Sequence, residues 1–193
     1  MAVVHQTSVY DVSDCKVFAL LTDVSPASPT YGTAQDVTGI AQVKIDPNLI
    51  TAELKGDGGA VLRKRGRVDR FKFSATYDFL DFDVLSIILG GAAADPDTHR
   101  SSFTFHGGTV LPYFGLAIDF RDVDVEAGVS QLVTYMYKCQ ITGGTLLGGQ
   151  TDQFSQPTMD VECIRPSGVD WMMYAELRDT TLVSNVTTMK AAA

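Results

Sequence analysis

The run from Val68 to Phe79 restricts the fold more than any other part of the chain. Phe71, Phe73, Ala75, Tyr77 and Phe79 alternate there with Arg70, Lys72, Ser74, Thr76 and Asp78. A pleated strand sends successive side chains to opposite faces, so this spacing predicts one face in a core and one in water. A helix would scatter the same aromatics around its circumference. The pattern recurs along the chain. Ala41, Val43 and Ile45 alternate with Gln42, Lys44 and Asp46; Pro47-Asn48 is expected to break the chain; Ile50, Ala52 and Leu54 then alternate with Thr51, Glu53 and Lys55. Phe114, Leu116, Ile118 and Phe120 form another such face. So do Val133, Tyr135, Tyr137 and Cys139, and Met159, Val161 and Cys163 set against Asp160 and Glu162. Shorter strands are expected over 15–21, 101–106 and 171–178. Loops are expected through Ser25–Pro29 and Tyr31-Gly32-Thr33 and over 92–100, where Asp95-Pro96-Asp97 reads as a turn.

The period changes once. Between Asp81 and Gly91 the spacing of Leu85, Ile88 and Leu89 fits a short helix, with Asp81 as N-cap, Asp83 at the positive end of the dipole and Gly90-Gly91 as the stop. The fold class that follows is mainly β: an antiparallel sandwich or barrel with one short α-helix and a long projecting hairpin. Residues 1–179 read as one domain and 180–193 as a C-terminal arm or disordered tail. Phe71, Phe73 and Tyr77 are expected to pack beneath Leu85, Ile88 and Leu89.

Catalytic signals are sparse. His5, His99 and His106 show no metal-ligand spacing. The serines lack a nucleophile elbow, and the Gly56-Asp57-Gly58-Gly59 and Gly143-Gly144 stretches lack the Gly-Lys-Ser/Thr of a phosphate loop. Asp119, Asp122, Asp124 and Glu126 read as a solvated strand end rather than a Ca²⁺ loop. Cys15, Cys139 and Cys163 are widely spaced in apolar runs, which favours buried free thiols in a reducing cytoplasm. No cofactor, metal or catalytic residue is expected. The N-terminus shows no signal-peptide pattern, and no apolar stretch reaches membrane-spanning length.

Charge is more informative. The net charge is −8, yet Arg63, Lys64, Arg65, Arg67 and Arg70 crowd into one segment. The overall sign argues against tight binding of nucleic acid, whose affinity comes from Lys and Arg on phosphates. A solvated hairpin tip is one reading of the cluster. Contact with acidic patches on another copy of the chain is the other, and a hairpin over 49–77 would project the cluster away from the body.

The order of these features resembles the tail tube, or major tail, proteins of long-tailed bacteriophages. The residues that carry the resemblance run from Thr51 through Lys55-Gly-Asp57-Gly-Gly and the basic segment Arg63–Arg67. They continue through Phe71–Tyr77 to Asp83-Val-Leu-Ser-Ile-Ile-Leu-Gly-Gly91, and Pro112-Tyr113-Phe114-Gly115-Leu116 fits as well. The Gly-rich linkers and the acidic charge are similar to those of phages infecting actinobacteria. The resemblance implies a virion protein, assembled in the host cytoplasm into hexameric rings that stack into a tube around a tape-measure protein. Tail terminator and distal tail proteins would meet its ends, and DNA would pass through the lumen without specific binding. It further implies inter-ring contacts from Arg63, Lys64, Arg65, Arg67 and Arg70, and a lumenal or exterior acidic face including Glu53, Asp78, Asp160 and Glu162. A tail terminator, a capsid decoration protein and a carbohydrate-binding β-sandwich are the alternatives.

Overall fold

The alternating segments become strands in a computed structural model, which describes residues 11–55, 61–78, 81–122, 130–146, 156–178 and 186–190. In chain order these are β1 (Asp11–Thr22), β2 (Thr30–Asp36), β3 (Ile40–Lys55), β4 (Val61–Tyr77), α1 (Phe82–Leu89), β5 (Ala92–Asp97), β6 (Arg100–Thr104), β7 (Phe114–Asp122), β8 (Ser130–Thr145), β9 (Thr158–Ile164) and β10 (Met173–Arg178). One antiparallel sheet has the order β2-β1-β7-β8-β9-β4-β3, with β10 also paired to β8; β5 and β6 form a separate ribbon. The fold is mainly β with one short helix, as the alternation requires.

The sheet curls. Three strands separate β1 from β4, and in a flat sheet a strand spacing of about 4.8 Å would hold them roughly 19 Å apart. Yet Cys15 and Val17 of β1 share one apolar cluster with Phe73 and Tyr77 of β4. Phe114, Leu116, Ile118, Met136, Met159 and Val161 fill the concave side, and Val84 and Ile88 of α1 close it. The opposite side of β1, β7 and β8 is covered as well. There Phe18, Ala117, Val133, Tyr135 and Tyr137 pack with Val186, while Tyr31, Trp171, Tyr174 and Met189 flank them. The tail stretch 186–190, read as an arm from its composition, thus docks on the sheet, with Val186 buried and Lys190 3.0 Å from Glu176.

The helix has the ends its sequence specifies. The Asp81 carboxylate accepts a hydrogen bond from the Asp83 amide at 2.8 Å, and Gly90 adopts φ 74° while its amide reaches the Ser86 carbonyl. That left-handed conformation suits glycine because it has no Cβ. The helix lies closest to β1 and the β5–β6 ribbon, not over β4. Phe73 and Tyr77 still meet Val84 and Ile88 in the concave core, while Phe71 and Leu89 are partly buried at its margin. Leu85 is buried but outside that cluster.

Several expectations are corrected. Pro47-Asn48 does not break the chain, because β3 is continuous and forms the sheet's edge. On an edge strand half the amides point away from the sheet, so a missing N–H is tolerated. The segment 30–36 is a strand, not a loop, held in part by the Tyr31 hydroxyl donating to the Tyr137 carbonyl at 2.5 Å. Asp95-Pro96-Asp97 lies within β5, and the turn falls just after it, where the Asp97 side chain accepts from the His99 amide. Phe79 and 56–59 lie outside the described residues.

The cysteine reading changes most. Cys139 was expected on the face of Val133, Tyr135 and Tyr137. Instead, four residues of β8 (Met136 to Cys139) oppose three of β7 (Phe114 to Leu116), and this bulge turns Cys139 to the concave side. There it stands directly opposite Cys163 of β9, with Cα atoms 4.0 Å apart, and the two are joined in a disulfide. Of the three cysteines only Cys15 is a buried free thiol, and burial pushes its pKa far up.

Beside the bulge, Asp23 joins distant segments. Its carboxylate accepts from Lys138 Nζ at 2.6 Å, from the Ser167 amide at 2.7 Å and from the Ser167 hydroxyl at 3.1 Å. Burial opposes its ionisation, but the Lys138 and Ser167 hydrogen bonds outweigh burial and hold its pKa below the ordinary 3.8. A depressed carboxyl pKa gives stability that is present above the unfolded value, near pH 4, and lost as the pH falls through the folded one. We therefore expect Asp23→Asn to cost about 1–3 kcal/mol at pH 7. In urea titrations the gap to the parent should narrow as the pH is lowered from 5 to 3; a constant gap would refute the linkage.

Candidate functional site

The basic segment is the most distinctive surface. Strand β4 pairs with β9 only over Phe71–Thr76, whereas its pairing with β3 continues to Val61. The outer part of β3–β4 is therefore a two-stranded ribbon projecting past the body. It begins at a bulge, where Asn48 faces Arg70 and Leu49 faces Val68, leaving Asp69 extra.

Register assigns the ribbon's faces, since residues directly opposed in an antiparallel pair share a side. Arg63 opposes Leu54, Arg65 opposes Ala52 and Arg67 opposes Ile50. One side thus carries three guanidiniums beside three apolar residues. The other carries Lys64 opposite Glu53, Gly66 opposite Thr51 and Val68 opposite Leu49. Neither side is covered: Leu49 and Leu54 are each 61% exposed and Val61 is 51% exposed.

The five basic candidates do not act as one unit. Lys64 Nζ lies 3.2 Å from Glu53. Arg70 is bound at the ribbon's base, 2.7 Å from Glu162 and 2.8 Å from Asp69, and these hydrogen bonds, the Glu162 one foremost, raise its pKa. Arg63, Arg65 and Arg67 have no carboxylate within ion-pair distance among the described residues. Alternation alone distinguishes the free set from Lys64, but the Arg70 pairing depends on a strand far away in sequence.

The four acidic candidates are not one face either. Asp160 and Glu162 lie on the convex side of β9, opposite Ser74 and Lys72, and Glu162 is neutralised by Arg70 with Lys72 at 3.9 Å. Glu53 sits on the ribbon. Asp78 follows β4, accepting from Gln156 at 3.2 Å. Asp78 and Asp160 have no cation within ion-pair distance among the described residues, whereas Glu53 and Glu162 do.

Sequence reasoning missed two buried charges. Lys16 lies in β1 between Asp14, 3.3 Å away, and Asp36, to which it hydrogen-bonds directly. Desolvation raises the Asp14 pKa against the pull of Lys16. These residues line a concavity of about 570 Å³ with Thr38 and Arg121. Asp119, expected to be solvated, is 2% exposed and accepts from Gln131 at 2.8 Å and Arg121 at 3.1 Å. Strand β7 has both faces covered, so alternation there does not reach water. Among the described residues no group of three or more His, Cys, Asp or Glu is placed to hold a metal, and no helix is long and apolar enough to cross a membrane.

No protein-family model matches the chain, and no curated protein matches it in sequence.

Proposed function

We propose that the chain is a structural virion subunit, a tail tube protein of a long-tailed phage, whose copies form hexameric rings stacked into a tube. The observation that carries this reading is the β3–β4 ribbon. It leaves the body at one end with apolar residues on both sides and, on one, three guanidiniums without a carboxylate partner among the described residues, a surface suited to a partner rather than to water. Two further features support it. The sheet has open edges at β2 and β3, and a barrel closed across subunits would bury both. The negative charge suits a conduit that passes DNA without holding it. In this reading the protein works mechanically, in the virion, with a tape-measure protein inside the tube and terminator and distal tail proteins at its ends.

Negative-stain electron microscopy of the purified chain at high concentration, alone and with virion components, tests the proposal. Rings or tubes are expected. A strictly monomeric protein under both conditions would reject it, and attachment to preformed capsids without tubes would favour a decoration protein.

A further inference from the structure

Strand β8 changes partners partway along. On the side away from β7, Gln131–Met136 pair with β10, whereas Lys138–Thr145 pair with β9. The change falls at the bulge between Met136 and Cys139, so β8 turns a corner there and passes from one half of the sheet to the other. One half holds β2, β1, β7 and β10; the other holds β9, β4 and β3 with the ribbon. The Cys139–Cys163 disulfide lies one pair beyond the change. Cys163 also faces Phe71, the last residue of β4 paired to β9 before the ribbon departs. Both cysteines are 0% exposed, and Met136 Sδ lies 3.6 Å from Cys163 Sγ. Polar contacts brace the same corner: Lys138 meets Asp23, and the Tyr31 hydroxyl donates to the Tyr137 carbonyl.

We propose that this cysteine pair is a redox lock on the corner. As a disulfide it fixes the two halves of the sheet, and with them the root of the ribbon, in the arrangement described. As two thiols it lets the corner open. Place and burial carry the inference. The bond joins the turning strand to β9, the first strand of the ribbon-bearing half, and so crosses the junction between the halves. Burial makes the lock keep its state: thiol–disulfide exchange proceeds by attack of a thiolate on a sulfur, and neither sulfur is in reach until the corner opens. The oxidant is a low-molecular-weight disulfide. One cysteine thiolate attacks it, expels a small thiolate and leaves a mixed disulfide; the other cysteine thiolate then displaces the second small thiolate. Two protein thiols are oxidised, one small disulfide is reduced to two thiols, and these take up the two protons. A small dithiol runs the sequence backwards and unlocks the corner. What the ribbon touches does not enter the inference, which stands apart from the tube reading.

The test compares the full chain as disulfide and as dithiol, the latter reduced with dithiothreitol in urea, refolded and kept free of oxygen. Amide hydrogen exchange, mapped by mass spectrometry, should run roughly thirtyfold or more faster in the dithiol over 137–141 and 161–165, since a disulfide typically favours the closed arrangement by at least that factor. Exchange in β1 and β2 should change little. An equal gain along the whole chain would make the bond a general staple, and no gain would leave it without a locking role; either result overturns the inference. The double variant Cys139→Ala, Cys163→Ala should exchange like the dithiol with or without glutathione disulfide, and Cys15→Ala should keep the contrast between the two redox forms. A double variant that matches the disulfide form, or a contrast that disappears with Cys15, also overturns it. A second readout needs no variant. Dithiothreitol should reduce the native protein at least about a hundredfold more slowly than the urea-unfolded chain, at a rate that levels off as reductant is raised because opening becomes limiting. Equal rates in the two states would show that the sulfurs are reached without opening, and the lock would fall.

Discussion

Replacing Arg63, Arg65 and Arg67 together by Glu is expected to abolish tube growth while leaving the subunit folded. The three side chains share one side of the ribbon and have no carboxylate partner among the described residues, so their removal breaks nothing seen within the subunit. Exposed substitutions of this kind change stability by about 0.5 kcal/mol or less each, so the thermal midpoint should move by only a few degrees. The effect between copies is much larger. A chain already at −8 gains a dense negative patch at the place where it would meet another negative surface, and like charges brought together at an interface cost several kcal/mol. Lys64→Ala is the control. Lys64 lies on the other side of the ribbon and already faces Glu53, so this variant should assemble normally. Normal tubes from the triple variant, seen by electron microscopy, would rule out the ribbon as an assembly element.

The largest effect on stability is expected from Phe73→Ala. Phe73 is fully buried in β4, between Ile45 of β3 and Val161 of β9 in the sheet register. It belongs to the cluster that joins both ends of the curled sheet to the helix, so neighbours held by the ladder on each side cannot collapse into the space it leaves. Phe→Ala changes at such sites cost about 3–5 kcal/mol, a large share of a typical total of roughly 5–15 kcal/mol. The midpoint in a thermal melt should fall by roughly 10 °C. Phe71→Ala, two residues away and only partly buried at the cluster's margin, should cost clearly less. Equal losses would mean that the core does not extend as described.

These contrasts show what could be read from the residues. The helix was legible to the residue because its signals are local: a capping Asp81, an Asp83 in the first turn and a Gly90 that can turn left-handed. The strands were legible where apolar residues alternate with polar ones, as in β4 and β9, but not where that pattern is missing, as in β2 and β5. Legibility failed where a partner strand decides the outcome. The bulge that moves Cys139 to the concave side depends on how β8 opposes β7, so the disulfide with Cys163 could not be seen in the spacing. Lys16 and Asp119 are buried because both faces of β1 and β7 are covered, partly by Val186 from the far end of the chain. Of the candidate site, the charge run and its projection were legible. Its division was not: Arg70 is claimed by Glu162, 92 residues away, while Arg63, Arg65 and Arg67 have no carboxylate partner among the described residues.

The ribbon's construction also bears on how assembly begins. Beyond the last β9 pair it is held by a single ladder and has no core of its own, and two-stranded ribbons of that kind are only marginally stable in water. Part of the energy of any docking event must therefore go into fixing the ribbon, which lowers the affinity of one contact. Contacts made together around a ring escape much of that loss, because the later ones form at high effective concentration. In the proposed assembly, growth should accordingly show a lag that preformed ring-sized seeds abolish, above a threshold concentration that seeds leave unchanged.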